Sequence, residues 1–283
     1  MTAGGRGAQR TIHVVHVFPD LLSTYGDSGN IRAIVARAER RDIHVSVSRL
    51  LADSVGVPAG DLFVIGGGQD RDQLRVEAAL RRLGRALETR ISEGAALLAI
   101  CGGYQNLGRS YRFSDGRTVR GPGIFPVETV AAPDRLVGPV VARLTPDAAR
   151  RNGPGLTPER TTIVGFENHS GRTFLDAQDA AFAIVEIGNG NNGTDGTEGL
   201  LLPGAGAHGL RIGTYLHGPL LPSNPHITDA LIRAGLDRTG QPNDLEPLDD
   251  RAEWRAHDRF LVRSRRRPWM DRLPSGVREA IGS

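Results

Sequence analysis

Residues 94–108, GAALLAICGGYQNLG, decide how this chain folds. The apolar run at 95–100 has the length of a buried strand, Cys101 follows it directly, and a glycine pair at 102–103 leads into a helix expected to begin near Tyr104. Glycine permits the sharp turn that such a junction needs. A helix N-terminus carries partial positive charge, which favours a thiolate. The stretch therefore predicts a nucleophile elbow with Cys in the place of Ser.

Cys101 has a simpler interpretation, as a small buried hydrophobic residue at the end of a strand. The flanking glycines and the motifs described below favour the nucleophile. Cys101 is also the only cysteine, which excludes an internal disulfide and a multi-cysteine metal site. A reducing cytoplasm suits a single free thiol, so a cytoplasmic location is expected.

Composition limits the remaining classes of function. The chain has 283 residues, enough for one large or two modest domains. It contains no lysine, so all 35 basic residues are arginine, which excludes Schiff-base catalysis and a phosphate-binding P-loop lysine. A net charge of +3 gives little support to nucleic-acid binding. No apolar run reaches the length of a membrane span, and residues 1–10 lack the apolar core of a signal peptide and are expected to form a disordered leader.

Strand-like and helix-like patterns alternate over the first part of the chain, which predicts βαβ units and a mostly parallel sheet. The expected strands are 12–18, 43–50, 61–65 and 95–100. The expected helices are 30–40, with Asp27, Ser28 and Asn30 as candidate caps, and 71–92. From about residue 117, short β-like runs separated by Gly- and Asn-rich turns predict antiparallel hairpins around the same sheet. A strand at 210–216 and a helix at 225–236 complete the pattern.

Three features follow predicted strands and are therefore expected at one edge of the sheet, where open α/β folds place their sites. They are the glycine triplet at 66–68, Cys101 and His217. A cysteine nucleophile needs a base, and His217 is one candidate. His169 is the rival, because it is expected to lie in a turn at 168–170 that follows a predicted strand at 161–166.

Six stretches carry a family resemblance: FPDLLSTYGDSGN (18–30), GGGQD (66–70), ICGGYQNLG (100–108), TIVGFENHSGRTFL (162–175), the Gly- and Asn-rich loop (188–193) and GTYLHGPLLPSN (213–224). Together they resemble the class I glutamine amidotransferases of the cobyric-acid-synthase-like branch. Within that branch they are most similar to the glutaminase subunits of lipid II isoglutaminyl synthases. The resemblance spans about residues 12–238.

The resemblance implies an α/β, flavodoxin-like class I glutamine amidotransferase fold. This fold has a mostly parallel central sheet flanked by helices, with added antiparallel hairpins. It implies three segments: a leader at 1–10, the amidotransferase domain at 11–240 and an Arg-rich C-terminal extension at 241–283. The implied activity is hydrolysis of L-glutamine. The ammonia would pass to a MurT-like Mur-ligase subunit in a heterodimer, where ATP and Mg²⁺ drive amidation of D-glutamate in lipid II. No cofactor and no metal site is expected in this chain.

Site residues carry over by position within the matching motifs. The expected roles are Cys101 as nucleophile, His217 as general base, Gly67 and Gly102 as oxyanion donors, Arg135 as the carboxylate-binding arginine, and Gln105 and Asn168 as weaker glutamine contacts. Only its position distinguishes Arg135 from the other arginines.

One departure concerns the third catalytic group. Many class I amidotransferases complete a triad with a glutamate two residues after the histidine, whereas here Gly218 and Pro219 follow His217. The resemblance implies a carboxylate from the MurT-like partner, and Glu167 is the local alternative.

Rival functions stay open at this point. A cobyric or cobyrinic acid amidotransferase normally has a fused synthetase domain, and no Gly-Lys phosphate motif exists here. A catalytically silent scaffold would not need Cys101 or His217. A nucleotide-binding module fails because the triplet at 66–68 lacks the G-x-G-x-x-G form. The extension from 241 is either a solvated helix and tail or a docking segment for a partner or an anionic surface.

Overall fold

The computed structural model describes residues 9–23, 26–68, 72–152, 156–177, 180–206 and 209–265. Most of the expected disordered leader, residues 1–8, lies outside the described part of the chain, as does the segment after Arg265. Among the described residues, no helix is both long and apolar enough to cross a membrane.

The first sheet has six strands in the order β11-β12-β4-β3-β1-β2. Its strands are β1 (Thr11–Val17), β2 (His44–Leu50), β3 (Leu62–Ile65), β4 (Ala96–Ile100), β11 (Leu200–Pro203) and β12 (Leu210–Thr214). All neighbours pair parallel except β11 with β12. Every residue of β3 and β4 is buried, as expected of central strands covered on both faces. This confirms the predicted mostly parallel sheet.

Six helices lie in the described residues, and the three that the sequence predicted with both bounds, at 30–40, 71–92 and 225–236, are found close to those bounds. The six helices are α1 (Ser28–Glu39), α2 (Gln73–Ser92), α3 (Gly102–Asn106), α4 (Pro146–Arg151), α5 (Pro225–Arg238) and α6 (Arg251–Arg265). The α/β fold class deduced from the sequence is therefore confirmed.

The later strands form a second sheet of their own rather than hairpins around the first one, which corrects the sequence-based expectation. They are β5 (Ser110–Arg112), β6 (Thr118–Arg120), β7 (Val127–Leu144), β8 (Thr162–Leu175), β9 (Ala183–Ile187) and β10 (Thr197–Glu198). β7 and β8 pair antiparallel along most of their length, with a register shift between Ala131 and Leu136.

This pairing corrects two further expectations. His169 and the segment 168–170 lie inside β8, whereas the sequence predicted a turn after a shorter strand. The segment is a strand because Leu136 and Val137 on β7 pair with His169 and Asn168. A polar, turn-like composition was overridden by a long partner strand.

The start of the C-terminal extension is tied to the domain by a buried ion cluster. Arg37 on α1 contacts Asp229 on α5 at 2.8 Å and Asp250 at 2.6 Å. Arg41 contacts Asp229 at 2.9 Å. Both arginine side chains are at most 5% exposed, so the two aspartates neutralise charges that water does not reach.

α6 packs on the same side of the domain. His257 hydrogen-bonds the Thr162 hydroxyl at 3.0 Å and the Ser223 carbonyl at 2.9 Å. Trp254 stacks on His226 with ring centroids 5.4 Å apart. The described part of the extension is thus a packed helix. The domain boundary at residue 240 stays a prediction.

We expect Asp229→Ala to lower the free energy of unfolding by about 3–5 kcal/mol, because it leaves two buried guanidinium groups short of their counter-charge. Asp249→Ala is the matched control. It removes an exposed aspartate paired with exposed Arg251 and should leave the free energy of unfolding nearly unchanged, because solvent screens such a pair. Urea unfolding of both variants measures the difference. Equal costs would contradict the importance of the buried cluster.

Candidate active site

Cys101 lies where β4 meets α3, at the carboxyl edge of the first sheet. Its backbone has φ +48° and ψ −106°, a conformation that L-residues rarely adopt. The Cys101 N–H donates to the Thr214 carbonyl at 2.8 Å, and the Gly103 N–H donates to the Gly66 carbonyl at 3.1 Å. These bonds fix a strained strand-to-helix turn, which is the geometry predicted for a nucleophile elbow.

His217 follows β12 and is held by the second sheet. Its N–H donates to the Phe166 carbonyl at 2.8 Å, and the Phe166 N–H donates back at 3.0 Å. The imidazole is 2% exposed. A Cβ placed on Gly67 would lie 2.6 Å from His217 Cε1 and 3.4 Å from Cys101 Cβ. The two side chains therefore converge above a backbone that has room only for glycine at 67.

Asp27 completes this group, and the sequence analysis missed its role. Its carboxylate is fully buried, with Oδ1 3.6 Å from His217 Nδ1 and Oδ2 accepting the Gly67 N–H at 2.6 Å. The sequence indicated Asp27 as a cap for α1. It does precede the helix, but its side chain makes no capping hydrogen bond. The only sequence signal for a site role was its place in the matching stretch 18–30.

The electrostatics of His217 reflect both neighbours. Burial disfavours the imidazolium, but the facing Cys101 side chain and the Asp27 carboxylate outweigh burial and raise the pKa of His217 to about 10. A raised histidine pKa means that the protonated form persists through neutral pH. The imidazolium is therefore the form of His217 that faces the Cys101 side chain at neutral pH.

Glu167, the local alternative for the third group, is engaged elsewhere. Its carboxylate accepts the Asn189 N–H at 2.9 Å, the Asn189 side-chain amide at 2.7 Å and the Gly190 N–H at 2.9 Å. Glu167 thus holds the Gly- and Asn-rich loop against β8. Its remaining ionic neighbour is His169, at 3.7 Å.

His169, the rival base, is packed into the protein interior. Its Nδ1 hydrogen-bonds the Gly171 carbonyl at 2.7 Å, and its ring stacks on Tyr215 with centroids 3.6 Å apart. Burial lowers the pKa of His169, although Glu167 and the Gly171 carbonyl oppose the shift. A neutral, stacked imidazole is well suited to support the site wall.

The predicted glutamine contacts are Arg135, Asn168 and Gln105, and the structure places them in two different settings. Exposed Arg135 donates from Nε to Asn168 Oδ1 and from Nη2 to the Asn168 carbonyl, both at 2.9 Å. Asn168 is two residues from Phe166, the strand partner of His217. Gln105 is buried, and its amide donates to the Tyr215 hydroxyl at 3.1 Å. Arg135 and Asn168 therefore form one unit, while Gln105 faces the interior.

The two predicted oxyanion donors differ in their present engagement. The Gly67 amide already donates to Asp27. The position that a Cβ on Gly102 would take lies 3.1 Å from the Gly68 amide nitrogen. Gly68 and Gly102 thus bring two backbone amides close to the elbow. The Gly67 amide, by contrast, would have to give up its hydrogen bond to Asp27 before it could donate to a substrate oxygen.

Glu198 supports the strand that leads to His217, and no pattern in the sequence indicated this role. Its Oε1 accepts the Thr214 hydroxyl at 2.6 Å and the Tyr215 N–H at 2.9 Å. Complete burial raises the pKa of Glu198 to about 7, against the opposing effect of these two donors. Glu198 thus holds the end of β12 in place through these two hydrogen bonds.

Comparison with known proteins agrees with this geometry. Residues 13–225 match the CobB/CobQ-like glutamine amidotransferase domain. The chain is 36% identical over 254 residues to the Staphylococcus aureus lipid II isoglutaminyl synthase (glutamine-hydrolyzing) subunit GatD, covering 89% of this chain and 96% of that protein. It is 31% identical to the Streptococcus pneumoniae subunit of the same name, covering 84% and 86%.

Two further similarities are more distant. The chain is 39% identical over 137 residues to cobyric acid synthase of Rhodobacter capsulatus, covering 47% of this chain and 24% of that enzyme. Among solved structures, the glutaminase domain of Trypanosoma brucei CTPS with bound acivicin has a TM-score of 0.48 at 10% identity, covering 83% of this chain and 98% of that one.

The fold, the cysteine elbow with its histidine and the matched family model define a glutamine amidotransferase. The chain belongs to the CobB/CobQ-like glutamine amidotransferase family, and its full-length relatives there include the two GatD subunits.

We expect Asp27→Asn to lower the pKa of His217 by about 1–3 units, because the variant removes a buried negative charge that favours the imidazolium. The expected direction is downward from about 10. NMR titration of ¹⁵N-histidine-labelled protein measures the shift, with exposed Asp20→Asn as the control. An unchanged His217 titration in the Asp27 variant would show that another group orients the ring.

Proposed function

We propose that this chain is the glutaminase subunit of a lipid II isoglutaminyl synthase. It hydrolyses L-glutamine and delivers ammonia to a MurT-like Mur-ligase subunit in a heterodimer. That partner amidates the α-carboxylate of D-glutamate in the peptidoglycan stem peptide to D-isoglutamine. The observation that carries the proposal is the convergence of Cys101, His217 and Asp27 over Gly67 in a chain that is 36% identical to a GatD subunit along nearly its whole length.

In the proposed mechanism, the Cys101 thiolate attacks the side-chain amide carbon of glutamine. The amide oxygen becomes a tetrahedral oxyanion, for which backbone N–H groups at the elbow are the available donors: Gly102 with Gly68, or Gly67 as deduced from the sequence. Protonated His217 gives its proton to the departing nitrogen. Collapse releases ammonia and leaves a γ-glutamyl thioester on Cys101.

Hydrolysis of the thioester reverses the role of His217. The imidazole, now neutral, takes a proton from water as the water attacks the thioester carbonyl. Collapse of the second tetrahedral intermediate yields glutamate and restores the thiolate and the imidazolium. Both half-reactions therefore depend on a histidine whose ring is held in one orientation.

Asp27 is proposed as the positioning residue for that histidine. A buried carboxylate beside Nδ1 fixes the ring so that Nε2 faces the sulfur, and it stabilises the imidazolium. The family resemblance offered a carboxylate from the MurT-like partner for this role. A carboxylate within the same chain is the more economical source, since Asp27 already lies 3.6 Å from the ring.

Arg135 is proposed to bind the α-carboxylate of glutamine, with Asn168 beside it. A guanidinium matches a carboxylate through two parallel hydrogen bonds. In the present structure the guanidinium donates to the two Asn168 oxygens. We propose that the α-carboxylate oxygens of glutamine take their place when the substrate binds. Gln105 would act through Tyr215, to which it is hydrogen-bonded.

The ligase half of the reaction belongs to the partner. Carboxylate activation needs ATP and Mg²⁺, and both are assigned to the MurT-like subunit. The acceptor is lipid-linked, so the complex is proposed to be cytoplasmic and to work at the inner face of the membrane.

A cobyric or cobyrinic acid amidotransferase is the alternative in the same family, since cobyric acid synthases also match. The shared length separates the two: the GatD subunits are covered almost end to end, whereas the chain spans 24% of the Rhodobacter capsulatus synthase. A catalytically silent scaffold is the second alternative. Such a scaffold would not need the strained backbone at Cys101, which therefore speaks against it.

We expect Cys101→Ala to reduce ammonia release from glutamine by at least on the order of 1,000-fold, because no other group in the site can form the thioester. Release should be measured for the chain alone and with its MurT-like partner, together with conversion of lipid II to its amide by mass spectrometry. Ammonia release that survives in Cys101→Ala would overturn the thiol mechanism. Wild-type release without lipid II amidation would favour the cobyric acid alternative.

We expect Arg135→Gln to raise KM for glutamine roughly 10- to 100-fold with little change in kcat, because a charged hydrogen bond to the substrate is worth about 1.5–3 kcal/mol. Arg143→Gln is the matched control, since Arg143 lies on the same strand and pairs with Glu186 on the surface. Steady-state kinetics of both variants decide the matter. A purely kcat-based loss in Arg135→Gln would remove the carboxylate role.

A further inference from the structure

α6 carries a row of arginines along its outer face. Arg251, Arg255, Arg259 and Arg263 are each four residues apart, and all four are exposed. Residues at this spacing lie on one side of a helix, and twelve residues cover about 18 Å at 1.5 Å per residue. We call these four residues, with Val262 between them, the α6 basic stripe.

The stripe has more positive charge than its surroundings neutralise. Arg251 pairs with exposed Asp249 at 2.6 Å, and neighbouring Asp258 pairs with Arg160 at 3.6 Å. Within the described part of the chain, no ion pair involves Arg255, Arg259 or Arg263.

The charge of the whole chain is concentrated at this end. Residues 251–283 contain nine arginines and four acidic residues, a difference of +5. Since the total is +3, the first 250 residues carry −2. The excess positive charge therefore belongs to the segment that contains the stripe.

The aromatic side chain of Trp254 is partly buried beside one end of the stripe, where it lines a cavity with Arg251 and Arg255. Trp254 lies between the Arg160 guanidinium, 3.9 Å from its ring centroid, and the His226 ring. The exposed positions between the arginines are Ala252, Ala256, Asp258 and Val262, and the Asp258 carboxylate is paired with Arg160. Tight protein–protein interfaces are centred on buried aromatic anchors, and the stripe offers none. Arginines with a small apolar residue among them suit a charged lipid headgroup layer instead.

α6 is also held rigidly in place. Asp250, just before its first residue, is part of the buried ion cluster with Arg37, and His257 is hydrogen-bonded on both ring nitrogens. The stripe therefore faces outward in a fixed orientation, so that binding a flat anionic surface needs no folding of the helix.

We propose that the α6 basic stripe docks this chain on an anionic phospholipid bilayer. The proposal rests on the proposed function, because an enzyme complex whose acceptor is lipid-linked gains from being held at the membrane surface. Each arginine near an anionic bilayer contributes about 1 kcal/mol of attraction, which falls off within the Debye length. The stripe thus gives a reversible, salt-dependent attachment.

The test is co-sedimentation of the full-length chain with phosphatidylglycerol–phosphatidylcholine vesicles and with pure phosphatidylcholine vesicles. The variant Arg255→Gln/Arg259→Gln/Arg263→Gln should bind the anionic vesicles on the order of 100-fold more weakly than wild type. The matched control Arg75→Gln/Arg81→Gln/Arg85→Gln removes the same charge from exposed positions on α2 and should bind within a few-fold of wild type. Added salt should weaken wild-type binding.

Three results would overturn the proposal: no preference of wild type for anionic vesicles, equal losses in the stripe and α2 variants, or a stripe variant that loses the partner subunit while keeping the vesicles. The first denies a lipid site, the second reduces the effect to net charge, and the third makes the face a protein interface. Ammonia release from free glutamine, measured in parallel, should be unchanged in the stripe variant. A wild type that binds vesicles but releases no ammonia would refute the proposed function and leave the docking surface standing.

Discussion

The active-site geometry depends on the close approach at Gly67, where no Cβ stands between three side chains. The Asp27 carboxylate accepts the Gly67 amide, and the His217 ring lies where a Cβ at this position would project. A buried carboxylate is stable only with partners, and here the partners are one backbone amide and one imidazole. This single contact therefore links the first helix, the glycine turn after β3 and the histidine after β12, although they are far apart in sequence.

The second sheet builds the other half of the site. β8 passes the end of β12, so that Phe166 pairs with His217 through the backbone, and His169 stacks on Tyr215. Asn168 on β8 accepts a hydrogen bond from Arg135 on β7 and so holds its guanidinium in place. The nucleophile comes from a parallel sheet, whose carboxyl edge exposes it, whereas the base and the substrate-binding wall depend on an antiparallel pair. The second sheet therefore supports His217, whereas the backbone of Cys101 is held by β12 of the first sheet.

The sequence was sufficient for features that depend on local pattern. Alternating apolar runs and helical periods located the parallel sheet, and the strand–Cys–Gly–Gly junction located the elbow. It was insufficient where long-range pairing decides the conformation. The segment 168–170 is polar enough for a turn, yet β7 pairs with it as strand. Asp27 has a helix-capping sequence context, yet its side chain turns towards Gly67 and His217. The orientation of a short side chain at a helix start is set by what packs above it, which no local pattern encodes.

The charged groups of this protein fall into two populations with different consequences. Asp27, Glu167 and Glu198 are buried, and each is fixed by donors from a distant segment. Removing a partner of one of these buried groups leaves an uncompensated charge. Such a change lowers the stability of the fold and disturbs the geometry of the site. The arginines of α6 are exposed, and Arg255, Arg259 and Arg263 in the α6 basic stripe have no ion pair among the described residues. Such charges contribute little to folding and act at a distance through solvent. Hence substitutions in the first population change structure and chemistry, whereas substitutions in the second leave both intact and alter only what the surface attracts.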